Sequence, residues 1–308
     1  MPHILSLNEI SLQDVWLTIG AFDGVHRGHQ EIIKLLIEGS QNDGVQSVVL
    51  TFHPHPSYIL RGRSGPYYLT SPEEKALLLV ELGVDFVVTQ PFTKHTAITS
   101  ARQFMEHVVH KLHPKHLLIG HDFALGRERQ GNGAELQLIG EKLGYKLSVM
   151  EPIKNDTEII SSSRIRQALA MGDVSSAERM LGRPFYITGR VIPGDGRGKT
   201  LGIPTANLAI WKERAIPKSG VYACRATVSD KTFNAVVNIG FRPTFDNTAT
   251  SQHVEAHILN FNDHIYGDIV RLDFIQKIRD EKRFPGVEAL IDQIHQDIEV
   301  TQSILQDK

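Results

Sequence analysis

The chain has 308 residues, enough for about two domains, with 41% hydrophobic and 22% charged residues, the balance of a folded globular protein. A net charge of −2 predicts no basic nucleic-acid surface, so any anionic ligand must be held by local groups. The single cysteine, Cys224, excludes an internal disulfide framework and a CxxC metal site, and fits a cytoplasmic location.

From the N-terminus, "MPHILSLNEI" lacks a basic region followed by a long apolar run, so no signal peptide is expected. No stretch approaches the ~18 apolar residues of a membrane span, and no membrane partner is expected. The runs "VWLTIGAF", "SVVLTF", "DFVVTQ", "HLLIG" and "KLSVM" then read as buried strands. Between them lie the helical patterns "HQEIIKLLIEG", "SPEEKALLLVELG", "SARQFMEHVVHKL" and "GAELQLIGEKLG". This alternation predicts a Rossmann-like α/β domain on a parallel sheet over 1–182, with ligands at the carboxyl ends of the strands. From residue 183 the period changes. "FYITGRVI", "TANLAI", "GVYACRATV", "TFNAVVNIG", "VEAHILNF" and "DIVRLDFI" follow one another without helices between them, which predicts an antiparallel β-barrel over 183–308. A terminal amphipathic helix with Val287, Leu290, Ile291, Ile294 and Ile298 on one face should dock on that barrel.

The loop after the first of these strands reads "GAFDGVHRGH", residues 20–29. Gly20 and Gly24 permit backbone turns closed to other residues and a close approach by a ligand. His26 and His29, three apart at a helix start, share a face where free N–H groups attract phosphate. Their imidazoles can donate to phosphate oxygens and, when protonated, offset charge. On these residues alone, a phosphate loop and a plain strand–helix turn both stay open. Farther on, Ser161, Ser162 and Ser163 precede a helical run, while Arg164 and Arg166 add fixed positive charge suited to a triphosphate.

In the second half, "GRVIPGDGRGKTLGIPTANL" (189–208) gathers Gly194, Gly196, Gly198 and Gly202 around Lys199. It is no Walker loop, because GxxxxGK[ST] followed by a helix is absent. Glycine amides and Lys199 suit phosphates nonetheless. Thr205 and Asn207, two apart on an extended strand, offer two oxygen ligands to Mg²⁺. Glu255 is a lone strand carboxylate, and His257 shares its face of the strand.

Taken together, "GxFDGxHxGH", "TFHPHP" (51–56), "GHDFALGRERQGN" (120–132) and "ISSSRIR" (160–166) resemble the HxGH adenylyltransferase half of bacterial riboflavin kinase/FAD synthetases. "LGIPTAN", "NIGFRPTF", "VEAHILNF" and "YGDIVRLDFIQKIRDEKRF" resemble the riboflavin kinase half. The resemblance implies two ATP-using activities, with riboflavin, FMN and FAD as substrates and products and Mg²⁺ as cofactor. It implies that His26, His29, Ser162, Ser163, Arg164 and Arg166 surround the phosphates of ATP. It further implies nucleotide or flavin contacts for Phe22, Asp23, His53, Pro54 and Asp122. In the second half it makes Glu255 the general base, Thr205 and Asn207 the metal ligands, and Arg279 a ligand contact. Ala21, Leu125, Ser163 and Asn260 depart from residues common in the family, and none of them is a histidine of the loop or the candidate base. A chain with only one of the two activities, or a catalytically silent flavin- or nucleotide-binding regulator, is the alternative.

Overall fold

The computed structural model describes residues 3–151, 154–155, 158–194, 202–243 and 250–306. Packing divides the chain into two compact units, 1–162 and 163–308. In the first, the strands are β1 (His3–Ile4), β2 (Val15–Ile19), β3 (Ser47–His53), β4 (Phe86–Pro91), β5 (Pro114–Gly120) and β6 (Lys146–Met150). Among them run helices α1 (Arg27–Asp43), α2 (Pro56–Arg61), α3 (Pro72–Glu81), α4 (Lys94–Ile98), α5 (Ala101–Leu112) and α6 (Gly133–Leu143). A two-stranded pair, β7 (Lys154–Asn155) and β8 (Glu158–Ile159), follows.

The six strands β1–β6 form a parallel sheet in the order β1-β4-β3-β2-β5-β6. Both faces are covered, as a parallel sheet requires. Leu17, Ile19, Leu50, Val88 and Leu117 pack on one side with Met105 and Leu136. Val49, Val87 and Leu118 pack on the other with Ile33, Leu36 and Leu79. Strand order reverses at β2: the chain goes on to β3 and β4 on one side and returns to β5 and β6 on the other. The crevice outside such a reversal is where α/β sheets bind ligands, and the loop 20–26 leaves β2 at that point.

Helix α7 (Ser162–Met171) spans the division, and α8 (Val174–Leu181) belongs to the second unit. There β9 (Phe185–Ile192), β10 (Ala206–Ile210), β11 (Gly220–Val228), β12 (Lys231–Pro243), β13 (Thr250–Ile258) and β14 (Ile269–Arg279) close a barrel in the order β10-β13-β12-β11-β14-β9. Every pairing in it is antiparallel. Its interior is apolar, built around Tyr222, Phe185 and Phe274.

Helix α9 (Val287–Gln306) lies on β11, β12 and β14. The apolar stripe expected to seat it is only partly covered: Leu290, Ile291, Ile294 and Ile298 are half-buried and Val287 is exposed. The residues it buries most deeply are Asp297, Thr301 and Leu305. Asp297 receives Arg279 of β14 at two atoms, Nη2 to Oδ2 at 2.7 Å and Nε to Oδ1 at 3.0 Å. Gln293 Nε2 adds a third bond at 3.0 Å. A carboxylate with three donors can be buried at tolerable cost, whereas one stripped of its cation cannot.

Replacing Asp297 by Ala should therefore destabilise the barrel unit by about 3 kcal/mol, because it leaves Arg279 without its partner in a largely covered position. Urea unfolding followed through the barrel should show this as a lower midpoint. The double variant Arg279→Met/Asp297→Leu should recover most of the loss.

Candidate functional site

Two groups of residues stand out, one in each unit. The first is the loop leaving β2. Gly20 donates its N–H to Leu50 O at 3.0 Å, which prolongs the sheet by one residue. Its missing side chain makes room for Phe22, since a Cβ there would stand 2.9 Å from the Phe22 ring. Phe22, Gly24 and Val25 all take positive φ, at 48°, 83° and 41°. For Phe22 and Val25 that backbone is costly, so something must hold it.

Asp23 holds it. The carboxylate is buried and accepts from Leu69 N at 2.9 Å and Thr70 N at 3.2 Å. Thr70 Oγ1 in turn accepts from Gly24 N at 3.1 Å. Ser162 Oγ donates to Asp23 O at 2.9 Å, which ties the start of the serine–arginine segment to the same turn. The carboxylate of Asp23, expected as a ligand contact, also accepts from Thr70 Oγ1 at 3.4 Å.

His26 caps α1, its Nδ1 accepting from His29 N at 3.3 Å, so the ring's proton resides on Nε2. The two imidazoles lie parallel, ring centres 3.6 Å apart, and Phe22 packs edge-on against His29 at 5.0 Å. Burial first, then His26 and Lys75, hold the His29 pKa well below the usual 6.5. His29 is therefore neutral near pH 7 in the free protein, and offers a hydrogen bond where the sequence reading allowed for charge. Its Nδ1 is buried with no hydrogen-bond partner among the described residues. Such an atom costs stability unless a ligand uses it.

A cation that no sequence motif marks lies beneath the loop. Lys75 of α3 is buried, and its Nζ donates to Ala21 O at 2.9 Å and Thr51 Oγ1 at 2.8 Å. Burial pulls its pKa from 10.5 down to about 8, against opposing pulls from Asp23 and Glu73. One signal was available: Lys75 stands four residues before Leu79, on the helix face that α3 buries.

The other residues expected here lie as follows. The His53–Pro54 peptide, at the end of β3, is cis. Asp122 is exposed, and its carbonyl accepts from Arg129 Nη2 at 2.8 Å. Ser163 is exposed and Arg164 and Arg166 are half-buried on α7, in the second unit.

The second group is on the barrel. Asn207 faces Glu255 across the β10–β13 pairing, and Asn238 faces Glu255 across β12–β13, so the three share one side of the sheet. Val254, Ala256 and Ile258 turn to the core between them. Asn207 is buried, and its Oδ1 has no hydrogen-bond partner among the described residues. Gly194 closes over it: a Cβ there would stand 2.0 Å from Asn207 Nδ2, so no larger residue fits. His257 Nδ1 donates to Pro204 O at 2.7 Å and fixes the segment carrying Thr205. Glu255 Oε1 accepts from His253 Nε2 at 2.7 Å, a contact that no expected site residue supplies. Gly202 takes a positive φ of 75°. Gly196, Gly198 and Lys199 lie outside the described residues. Arg279, expected at the ligand, is engaged by Asp297, as described above.

Comparison with known proteins supplies the context. A family model described as FAD synthetase matches residues 9–164, and one described as riboflavin kinase matches 181–305. The bifunctional riboflavin kinase/FMN adenylyltransferase of Bacillus subtilis is 35% identical over 300 residues, covering 96% of this chain and 93% of that one. The protein of the same name from Haemophilus influenzae is 38% identical, covering 95% and 94%. A solved structure titled macrolide-efflux protein from Streptococcus pneumoniae superposes with a TM-score of 0.88 at 29% identity, over 97% of this chain and 98% of that one. Among the described residues here, no helix is long and apolar enough to cross a membrane.

Lys75 sets a pH test of the first site. The fold holds it at about 8 against ~10.4 in the unfolded chain. Between those values the unfolded chain binds the extra proton, so stability rises with pH from about 8 to about 10.4 and is flat below. A shift of this size is worth about 3 kcal/mol as an upper figure. In Lys75→Met that rise should be missing from the urea midpoint of the first unit. An identical rise in the variant would mean that Lys75 is not buried as a strained cation.

Proposed function

The chain belongs to the bifunctional riboflavin kinase/FMN adenylyltransferase family, and on that premise we propose how its two sites divide the work. The barrel phosphorylates riboflavin to FMN with ATP. The α/β domain then transfers AMP from ATP to FMN, giving FAD and pyrophosphate. Matches to both family models, in this order along one chain, carry the reading and favour two activities over one. We take 1–182 as the adenylyltransferase domain and 183–308 as the kinase domain. A cytoplasmic location suits both the need for ATP and the buried, unpaired Cys224.

In the kinase step the nucleophile is a neutral hydroxyl of riboflavin, so a proton acceptor is useful. Glu255 takes that role, set between Asn207 and Asn238 by the strand register. Thr205 and Asn207 would hold Mg²⁺: the hard amide oxygen of Asn207, buried and without a partner among the described residues, suits that ion. Bound there, the ion would neutralise charge on the phosphates of ATP. Gly194, Gly196, Gly198, Lys199 and Gly202 are assigned to those phosphates.

In the adenylyl step the attacking group is a phosphate oxygen of FMN, already anionic, so no strong base is required. Positioning and charge stabilisation carry the reaction. His26 and His29 donate hydrogen bonds to phosphate oxygens at the head of α1. The family motifs assign Ser162, Ser163, Arg164 and Arg166 to the triphosphate, and Phe22, His53, Pro54 and Asp122 to flavin or nucleotide. Asp23 and Lys75 keep the loop in shape.

The two steps should separate cleanly when flavins are resolved by chromatography after incubation with riboflavin, ATP and Mg²⁺. Glu255→Gln should block FMN formation yet leave conversion of supplied FMN to FAD intact. His29→Ala should accumulate FMN, with adenylyl transfer slowed about 10²-fold or more, the usual cost of one transition-state donor. Loss of both steps in either folded variant would contradict the two-site assignment.

A further inference from the structure

His253 belongs to none of the motifs read from the sequence, yet it hydrogen-bonds the proposed proton acceptor. Its Nε2 lies 2.7 Å from Glu255 Oε1, and the two side chains are only 20% and 26% exposed. The contact follows from strand geometry. Residues 253, 255 and 257 project to one side of β13, while Val254, Ala256 and Ile258 fill the core on the other. The position facing His253 on β12 is Gly240, and its lack of a side chain admits Glu281: a Cβ there would stand 2.5 Å from Glu281 Oε1.

A glutamate reaches its target through three rotatable bonds, and a general base must lie within hydrogen-bond reach of the proton it takes. One donor fixed at one oxygen removes much of that freedom. The kind of donor matters too. An arginine or lysine at 2.7 Å would favour the carboxylate anion strongly and weaken it as a base. An imidazole N–H orients the same carboxylate through a single hydrogen bond.

We propose that His253 is a positioning residue for riboflavin phosphorylation, donating from Nε2 to Glu255 Oε1 and so aligning the carboxylate with the substrate hydroxyl. The proposal rests on the reading of Glu255 as proton acceptor. His253 itself touches neither riboflavin nor ATP in this account.

The test uses the full chain and measures FMN formation from riboflavin, with kcat and both KM values, beside FAD formation from supplied FMN. His253→Ala should lower kcat of the kinase step about tenfold, with KM for riboflavin and ATP nearly unchanged, the pattern for an interaction that counts in the transition state. His253→Gln, whose amide N–H can meet the same oxygen, should recover most of that loss. His253→Phe, which keeps a ring but has no donor, should not. Adenylylation of FMN should be unaffected in all three, and should one variant fail to fold, the contrast between the other two and the parent decides. A kinase kcat within about twofold of the parent in His253→Phe, or a loss seen only in KM and not rescued by Gln, overturns the proposal. Glu255→Gln separates the two layers. If it keeps full kinase activity, the acceptor assignment falls and this inference with it. If it is inactive while His253→Phe is normal, only the positioning role falls.

Discussion

A glycine-containing loop holds backbone and side-chain donors at fixed positions only when other contacts restrain it. Buried Asp23 meets that demand. Its carboxylate collects the N–H groups of Leu69 and Thr70, Thr70 passes the connection on to Gly24, and Ser162 reaches the Asp23 carbonyl from the far end of the domain. Three positive-φ residues are held in place by these bonds. With the turn fixed, His26 falls at the cap of α1 and stacks on His29, and Lys75 reaches up beneath Ala21. Remove the carboxylate and the loop loses the contacts that offset its backbone strain.

The barrel solves a different problem by a different means. There the strands do the positioning, because antiparallel register sets which side chains stand opposite one another. Asn207, Glu255 and Asn238 form a row across three adjacent strands for that reason alone. The terminal helix is held by a buried ion pair, Arg279 with Asp297, beside apolar contacts such as Ile298 on Val221, Val236 and Leu259. Such a pair is costly to bury but specific in geometry.

What was legible in the sequence follows from the same physics. Short apolar runs bounded by turn residues found β2 through β6, because a strand buried on both faces reads as a continuous apolar run, and a succession of strand-like runs without helices found the six barrel strands. They missed the two-residue β1, which is too short to show any period. His26 and His29 were singled out by their spacing of three at a helix start, Asn207 by its strand spacing of two from Thr205, and Glu255 as base by the family motif. Asp297 escaped because a charged residue within an amphipathic helix reads as solvent-facing until its partner, eighteen positions earlier on a strand, is known. Lys75 escaped for the same reason, although its place one turn before Leu79 on the same buried face was a visible anomaly. His253 was within reach of the rule that put His257 beside Glu255, for it too lies two residues away.

The central claim is that one chain makes both phosphate bonds of FAD, at two sites with different chemistry. It can be tested by labelling the donor. With riboflavin and Mg²⁺, ATP labelled at the γ-phosphorus should label FMN first and then the flavin-side phosphate of FAD. ATP labelled at the α-phosphorus should label FAD on its adenosine-side phosphate and never FMN. FAD carrying both labels in those positions is the result this account requires; FAD without the γ label, or FMN bearing the α label, would contradict it.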